Sequence, residues 1–183
     1  MARPRTRTKV HEAVLALARE GRIRSITMEA IAARAGVSKQ TLYRSWSSTG
    51  GILFDALLAR SLDENGVVTL PDTGDLTADL HTIASAMVAE LTDRTQETLL
   101  RAVTAQLQDD EALAAQYRES LFDIQRDAVA RRLAAAGVDE PDEIAELFFG
   151  PILHRWLLRT RPFDDGWVRR HVERTVRAAT ASR

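Results

Sequence analysis

Residues 27–46 read TMEAIAARAGVSKQTLYRSW, two short apolar periods separated by Gly-Val-Ser. Thr27 has the chemistry of an N-cap, and Glu29 falls in the first turn, where a negative charge suits the helix dipole. A short helix over about residues 28–34 follows, stopped by Gly36, which supplies the left-handed conformation a tight turn needs. Ser38 caps a second short helix over about residues 39–45. Ile31, Ala32 and Ala35 face inward from the first helix, Val37 plugs the turn, and Leu42 with Trp46 anchors the second. Small residues at 32, 33 and 35 let the two helices approach closely. This is the geometry of a helix-turn-helix. With Leu42 inward, Lys39, Gln40, Thr41, Tyr43 and Arg44 turn to the other surface, short, polar and donor-rich. Spacing alone leaves two readings, a helix that lies in a DNA major groove or an ordinary helical hairpin with a polar face.

Outward from this segment, apolar spacing is helical almost everywhere. Val10, Ala13, Val14, Leu17 and Ala18 form one stripe of a helix over about residues 6–20, with Gly21 as its stop. Ser47-Ser48-Thr49-Gly50-Gly51 reads as a break, followed by a fourth helix carrying Ile52, Leu53, Ala56, Leu57 and Leu58. The turn-rich run NGVVTLPDTG, Asn65 to Gly74, is the main boundary. Longer helices are expected near 75–91, 95–107, 109–136, 141–159 and 165–181. Gly137 ends the third of these, Pro141 opens the next, and Gly150-Pro151 should kink it. The expectation is an all-α fold: a three-helix domain with the helix-turn-helix over residues 1–50 and a connecting helix of about 51–64, and a helical body over 65–183.

The chain has 183 residues, a net charge of −1 and no cysteine. Disulfides, thiolate catalysis and cysteine-ligated zinc are thereby excluded, and a reducing compartment is suited. The basic start MARPRTRTKV has no apolar run behind it, and no stretch has the roughly 18 apolar residues of a membrane span. A cytoplasmic protein with no membrane partner is the expectation. Residues 1–60 hold 11 Lys/Arg against 4 Asp/Glu, a net of +7, and the remainder carries −8. A basic head on an acidic body points to a nucleic-acid end. The four histidines, at 11, 81, 154 and 171, have no metal spacing. No nucleophile elbow, phosphate loop or dinucleotide glycine run is present. Neither catalysis, a metal nor a cofactor is expected.

The segment closely resembles the TetR (tetracycline repressor) family, whose signature Thr-x-x-x-Ile-Ala-x-x-Ala-Gly-Val-Ser-x-x-Thr-Leu-Tyr-x-x-Trp/Phe is met from Thr27 through Trp46. The likeness covers residues 8–60. Beyond them it is one of architecture and length, with a looser likeness at Phe149-Gly150-Pro151-Ile152 to some members' dimerisation helices. The resemblance implies a regulator, most simply a repressor, that reads double-stranded operator DNA. Lys39, Gln40 and Thr41 are then the candidate base readers, since Lys pairs with guanine, Gln with adenine, and Thr can touch a thymine methyl. Tyr43 and Arg44 are the candidate phosphate holders, with Thr27 and Ser38 at the two helix starts. Family members commonly begin the fourth helix Ser-Lys-Glu, whereas this chain has Ser48-Thr49-Gly50, so that lysine contact is not carried over. Arg3, Arg5, Arg7 and Lys9 form an arm that either enters a groove or is a solvated tail.

Two reading heads in a two-fold dimer would bind half-sites about one helical turn apart. The candidate dimer interface is Ile144, Leu147, Phe148, Pro151, Ile152 and Arg155 with Val168, Val172 and Val176, stripes that must also be partly intrachain core. A mainly aliphatic pocket for an unknown, largely apolar effector is expected around Met87, Leu91, Val103, Gln106, Tyr117, Leu121, Ile124 and His154. The alternatives are an effector-independent regulator of this fold and a helical interaction module that no longer binds DNA.

Overall fold

The computed structural model describes residues 3–20, 26–61 and 68–181. Gly21 and residues 65–67 of the boundary loop lie outside the described residues. Among those described the secondary structure is helical, with no strand. The chain divides into two compact units, residues 1–65 with 92–121 and residues 66–91 with 122–183.

The first unit holds α1 (Pro4–Arg19), α2 (Met28–Ala35), α3 (Lys39–Tyr43), α4 (Thr49–Ser61), α6 (Arg94–Gln106) and α7 (Glu111–Tyr117). Pro4 opens α1 at a position where its missing N–H costs nothing. Its stripe of Val10, Ala13, Val14, Leu17 and Ala18 is buried, and α1 packs on α2, α4 and α6. Helix α4 is buried on most of its circumference through Ile52, Leu53, Phe54, Ala56 and Leu57, because α1, α6 and α7 all pack against it. Asp93 and Asp110 start α6 and α7 by accepting from Gln96 N at 2.9 Å and Leu113 N at 2.9 Å. The expected boundary at residues 65–74 puts α6 and α7 in the C-terminal body, and in the structure α6 packs on α1 and α4 while α7 packs on α4.

Residues 47–51 were expected to be a break, yet α4 begins at Thr49 and includes both glycines. The hydroxyl of Ser48 accepts from Gly51 N at 3.1 Å, a cap that offsets the poor helix propensity of the pair. Gly50 is required sterically. A Cβ there would stand 2.8 Å from Leu113 Cδ2 and 3.4 Å from Cβ and Cγ of Gln106.

The second unit holds α5 (Leu76–Thr92, its last residue excepted), α8 (Asp123–Ala135), α9 (Pro141–Leu158) and α10 (Asp165–Ala181). A π-helical turn, Arg118–Phe122, joins α7 to α8. Helix α9 packs on both α8 and α10. At the end of α8, Gly137 takes φ 74°, and Val138 N donates to Leu133 O at 3.2 Å, a Schellman close. Pro151 lies inside α9, which continues through it. Nearby, His171 donates from Nε2 to the carbonyl of Phe148 at 2.8 Å and stacks between Trp167 and Phe148. Burial pushes the His171 pKa down, which favours this neutral imidazole. Arg132 and Asp79, both buried, tie α8 to α5 at 2.6 Å, and Asp79 also accepts from the Thr73 hydroxyl at 2.8 Å.

Candidate nucleic-acid interface

The segment 27–46 folds as its chemistry dictates. The Thr27 hydroxyl accepts from Ala30 N at 3.2 Å, and Gly36 takes φ 64°, ψ 37° to end α2. Val37 N then bonds Ala32 O at 3.0 Å. Ser38 Oγ accepts from Thr41 N at 3.1 Å and lies 2.9 Å from the Thr41 hydroxyl. Leu42 is completely buried and Trp46 nearly so. That fixed inner side leaves Lys39, Gln40, Tyr43 and Arg44 exposed beside Thr27 and Ser38, with Thr41 half-buried. Tyr43 is 56% exposed, unusual for a large aromatic side chain with nothing of its own chain to cover it. An open hollow of about 390 Å³ runs beside this face, lined in part by Thr27, Glu29, Tyr43, Thr49, Ala105 and Gln106.

Lys39 is not idle on this surface. Its Nζ donates to Glu29 Oε1 at 2.9 Å. The lysine's hydrogen bond holds the Glu29 carboxyl below its usual pKa, and the glutamate raises that of Lys39.

The expected basic arm is mostly helix. Because α1 starts at Pro4, Arg5, Arg7 and Lys9 lie within it, and helical spacing sends alternate residues to different sides. Arg5 and Lys9 are exposed. Arg7 is directed inward, donating to both carboxylate oxygens of Asp55 at 2.6 and 3.0 Å. This engagement removes Arg7 from the set of groups free to meet DNA. His11, one turn on, bonds Asp55 Oδ2 at 3.0 Å, and the Trp46 indole N–H donates to the same oxygen at 3.1 Å. Partial burial alone would raise the Asp55 pKa. The hydrogen bonds from His11 and Arg7, with their charges, instead hold it well below the usual carboxylate range.

Asp55 thus joins α1, α4 and the residue that ends the reading segment, a role the sequence reading missed. A lone carboxylate in the run Ile52-Leu53-Phe54-Asp55-Ala56-Leu57 was the available signal, since such a group needs partners.

Comparison with known proteins identifies the architecture. The description "Bacterial regulatory proteins, tetR family" matches residues 12–56, and "Tetracyclin repressor-like, C-terminal domain" matches residues 70–175. The chain belongs to the TetR family. The uncharacterized HTH-type transcriptional regulator YdeS of Bacillus subtilis (strain 168) is 31% identical over 153 residues, 79% of this chain and 75% of its own. The crystal structure of the TetR family transcription regulator SCO0332 superposes with a TM-score of 0.70 at 30% identity, covering 91% of this chain and 94% of that one. The flavonoid-responsive regulator FrrA shares the fold, with a TM-score of 0.67 at 21% identity and coverage of 98% and 97%. TetR-family proteins of this kind are transcriptional regulators, not enzymes. No described helix is long and apolar enough to cross a membrane.

In this TetR-family chain the expected dimer residues separate into two groups. Ile144, Phe148, Ile152, Val168 and Val172 are buried within the chain, where α9 meets α8 and α10. Pro151 and Val176 are half-buried. Arg155 is packed against its own chain, 4.8 Å from the Trp167 ring centre and 5.6 Å from that of Phe163, donating to Pro162 O at 2.7 Å. Of the nine, only Leu147 is exposed, and α9 exposes Leu157 and Leu158 as well.

The expected pocket residues are spread over both units. Val103 and Leu121 are buried and Tyr117 half-buried in the first, where Gln106 is exposed and lines the hollow beside Tyr43. Leu91 is buried, Met87 and Ile124 half-buried and His154 exposed in the second.

Proposed function

We propose that this TetR-family regulator is a repressor that binds a two-fold symmetric operator as a homodimer and leaves it when a small, largely apolar effector occupies its C-terminal body. The observation that carries the DNA-binding step is the outer face of α3. Lys39, Gln40, Tyr43 and Arg44 stand exposed over a buried Leu42, with the Thr27 cap beside them. Such a face offers base-edge donors and phosphate holders together. Gln40 and Lys39 would read bases with Thr41 at their side, while Tyr43, Arg44, Thr27 and Ser38 would hold the backbone, with Arg5 on α1 as an outlying cation.

Dimerisation is supported by the exposed side of α9. Helical geometry puts Leu147, Gly150, Pro151, His154, Leu157 and Leu158 within about 120° of one another. Apolar surface left uncovered on one helix suits burial against a copy. Effector release is supported by family membership, and a relative of the same fold is named as responsive to a flavonoid. To release DNA the effector must favour the non-binding state, about 1.4 kcal/mol for each tenfold loss of affinity. A protein with this task works beside DNA in the cytoplasm.

One observation favours another reading. In the first turn of α4, Thr49 stands where family resemblance implies a lysine that would help to hold a phosphate, and the loss of that cation suits a helical interaction module that has given up DNA. Selection of bound sequences from a random duplex pool at moderate salt decides between them. Recovery of a two-fold palindrome is the expected result. No enrichment by the folded, dimeric protein would remove the operator-binding reading.

A further inference from the structure

The ion pair between Glu29 and Lys39 lies within the surface just assigned to DNA, and the fold does not depend on it. Both side chains are more than half exposed, at 62% and 55%. Each is carried by a helix that its own cap already fixes, α2 by Thr27 and α3 by Ser38. A pair this exposed adds little to folding, so its consequence is for the lysine.

An unpaired ammonium at the start of a recognition helix takes any backbone phosphate in reach, which adds affinity but no sequence information. An ammonium already held at 2.9 Å by a carboxylate gains from a phosphate only the difference between two similar ion pairs. The carboxylate, left behind beside the phosphates, is then repelled by them. A guanine edge differs, since its O6 and N7 carry no net charge to oppose Glu29 and can accept the other ammonium protons while the carboxylate keeps its own.

We propose that Glu29 is a specificity-determining residue, withholding Lys39 from backbone phosphates so that the lysine engages DNA only where uncharged base edges accept the ammonium protons that the carboxylate leaves free. The inference rests on the DNA-binding reading above and deepens it. Glu29 itself need touch no base. It acts by staying on the Lys39 ammonium and repelling a phosphate that would share it, and it lowers binding to wrong sequences more than to the right one.

The test is Glu29→Gln, which keeps the size and an acceptor oxygen but removes the charge, titrated with a mixed-sequence duplex of about 30 base pairs between 50 and 200 mM salt. The variant should bind this duplex more tightly than wild type, with a salt slope steeper by about 0.9, one added phosphate contact. Its advantage is then about threefold larger at the low-salt end than at the high-salt end. In a Lys39→Gln background the same change should leave the slope where it was, because no ammonium remains to release. Selection from a random pool should give the Glu29→Gln protein a flatter base preference than wild type. An unchanged or shallower slope overturns the inference, as does an equally steepened slope without Lys39, which would mark a general charge effect. Wild type that is folded and dimeric but fails to bind either pool at 50 mM salt overturns the DNA reading itself, a result distinct from the other two.

Discussion

At the scale of single residues, Asp55 shows how a polar contact far from the outer face of α3 bears on that face. Its carboxylate receives Arg7, His11 and the indole of Trp46, and Trp46 is the buried residue that closes the reading segment. Asp55→Asn keeps the shape but loses the charge and turns one acceptor oxygen into a donor facing other donors. Hydrogen bonds to a charged group are worth about 1.5–3 kcal/mol. The partial exposure of Arg7, at 39%, places the expected loss of stability toward the lower end of that range. DNA affinity should fall with it, across sequences, since the orientation of α3 is affected and no single base contact. The pH dependence has a definite sign. The folded-state pKa of Asp55 is depressed, so its stabilisation is full above the unfolded carboxylate value of about 3.9 and is lost as pH falls below it. Chemical denaturation of the two proteins at pH 7 and at about pH 3 measures this. A gap that fails to narrow in acid would show that the charge of Asp55 is not what stabilises the cluster.

Among the elements, α4 offers a paired test because its two adjacent glycines face different surroundings. Gly50→Ala would press a methyl into Leu113 and Gln106, and Leu113 is too buried to swing aside freely. Overpacking costs about 1–3 kcal/mol, against which the helix propensity of alanine returns at most about 1. Gly51→Ala meets nothing closer than Ser48 Oγ at 3.7 Å and should be neutral or stabilise by about 0.5 kcal/mol. Thermal melts of both variants check the pair, and equal effects would mean that α7 does not press on α4. The same helix marks what sequence reading could and could not reach. The caps Thr27 and Ser38, the turn glycine Gly36 and the stop at Gly137 were legible because each acts through its own backbone. The start of α4 at Thr49 was not, since Gly-Gly is a breaker locally and is helical here through the Ser48 cap together with packing against Gln106 and Leu113, over fifty residues away. Arg7 misled for a similar reason: a basic side chain near the N-terminus carries no sign of an aspartate 48 residues on. In α9, apolar residues occupy both sides of the helix, so periodicity identified the helix without telling core from free surface.

For the whole molecule, the question is which surface makes one reading head into two. A single α2–α3 unit contacts too little DNA to bind a site tightly, and two-fold pairing is the general remedy. The buried stripe of Ile144, Phe148 and Ile152 cannot serve, because α8 and α10 already cover α9 there. The opposite stripe, with Leu147 at 45% and Leu158 at 60% exposure, is available without unfolding anything. Leu147→Asp with Leu158→Asp should therefore leave helical content and monomer stability within about 0.5 kcal/mol, as surface changes do. In a homodimer the same two changes set four carboxylates into one apolar interface, each resisting desolvation. Sedimentation at micromolar concentration should then show a monomer. Affinity for a selected palindrome should fall at least about a hundredfold, while weak binding to a half-site persists through the intact α3. A variant that stays dimeric would move the interface off this face of α9. A monomer that keeps full affinity for the palindrome would mean that each reading head binds on its own, so the two-fold operator would no longer follow from the fold.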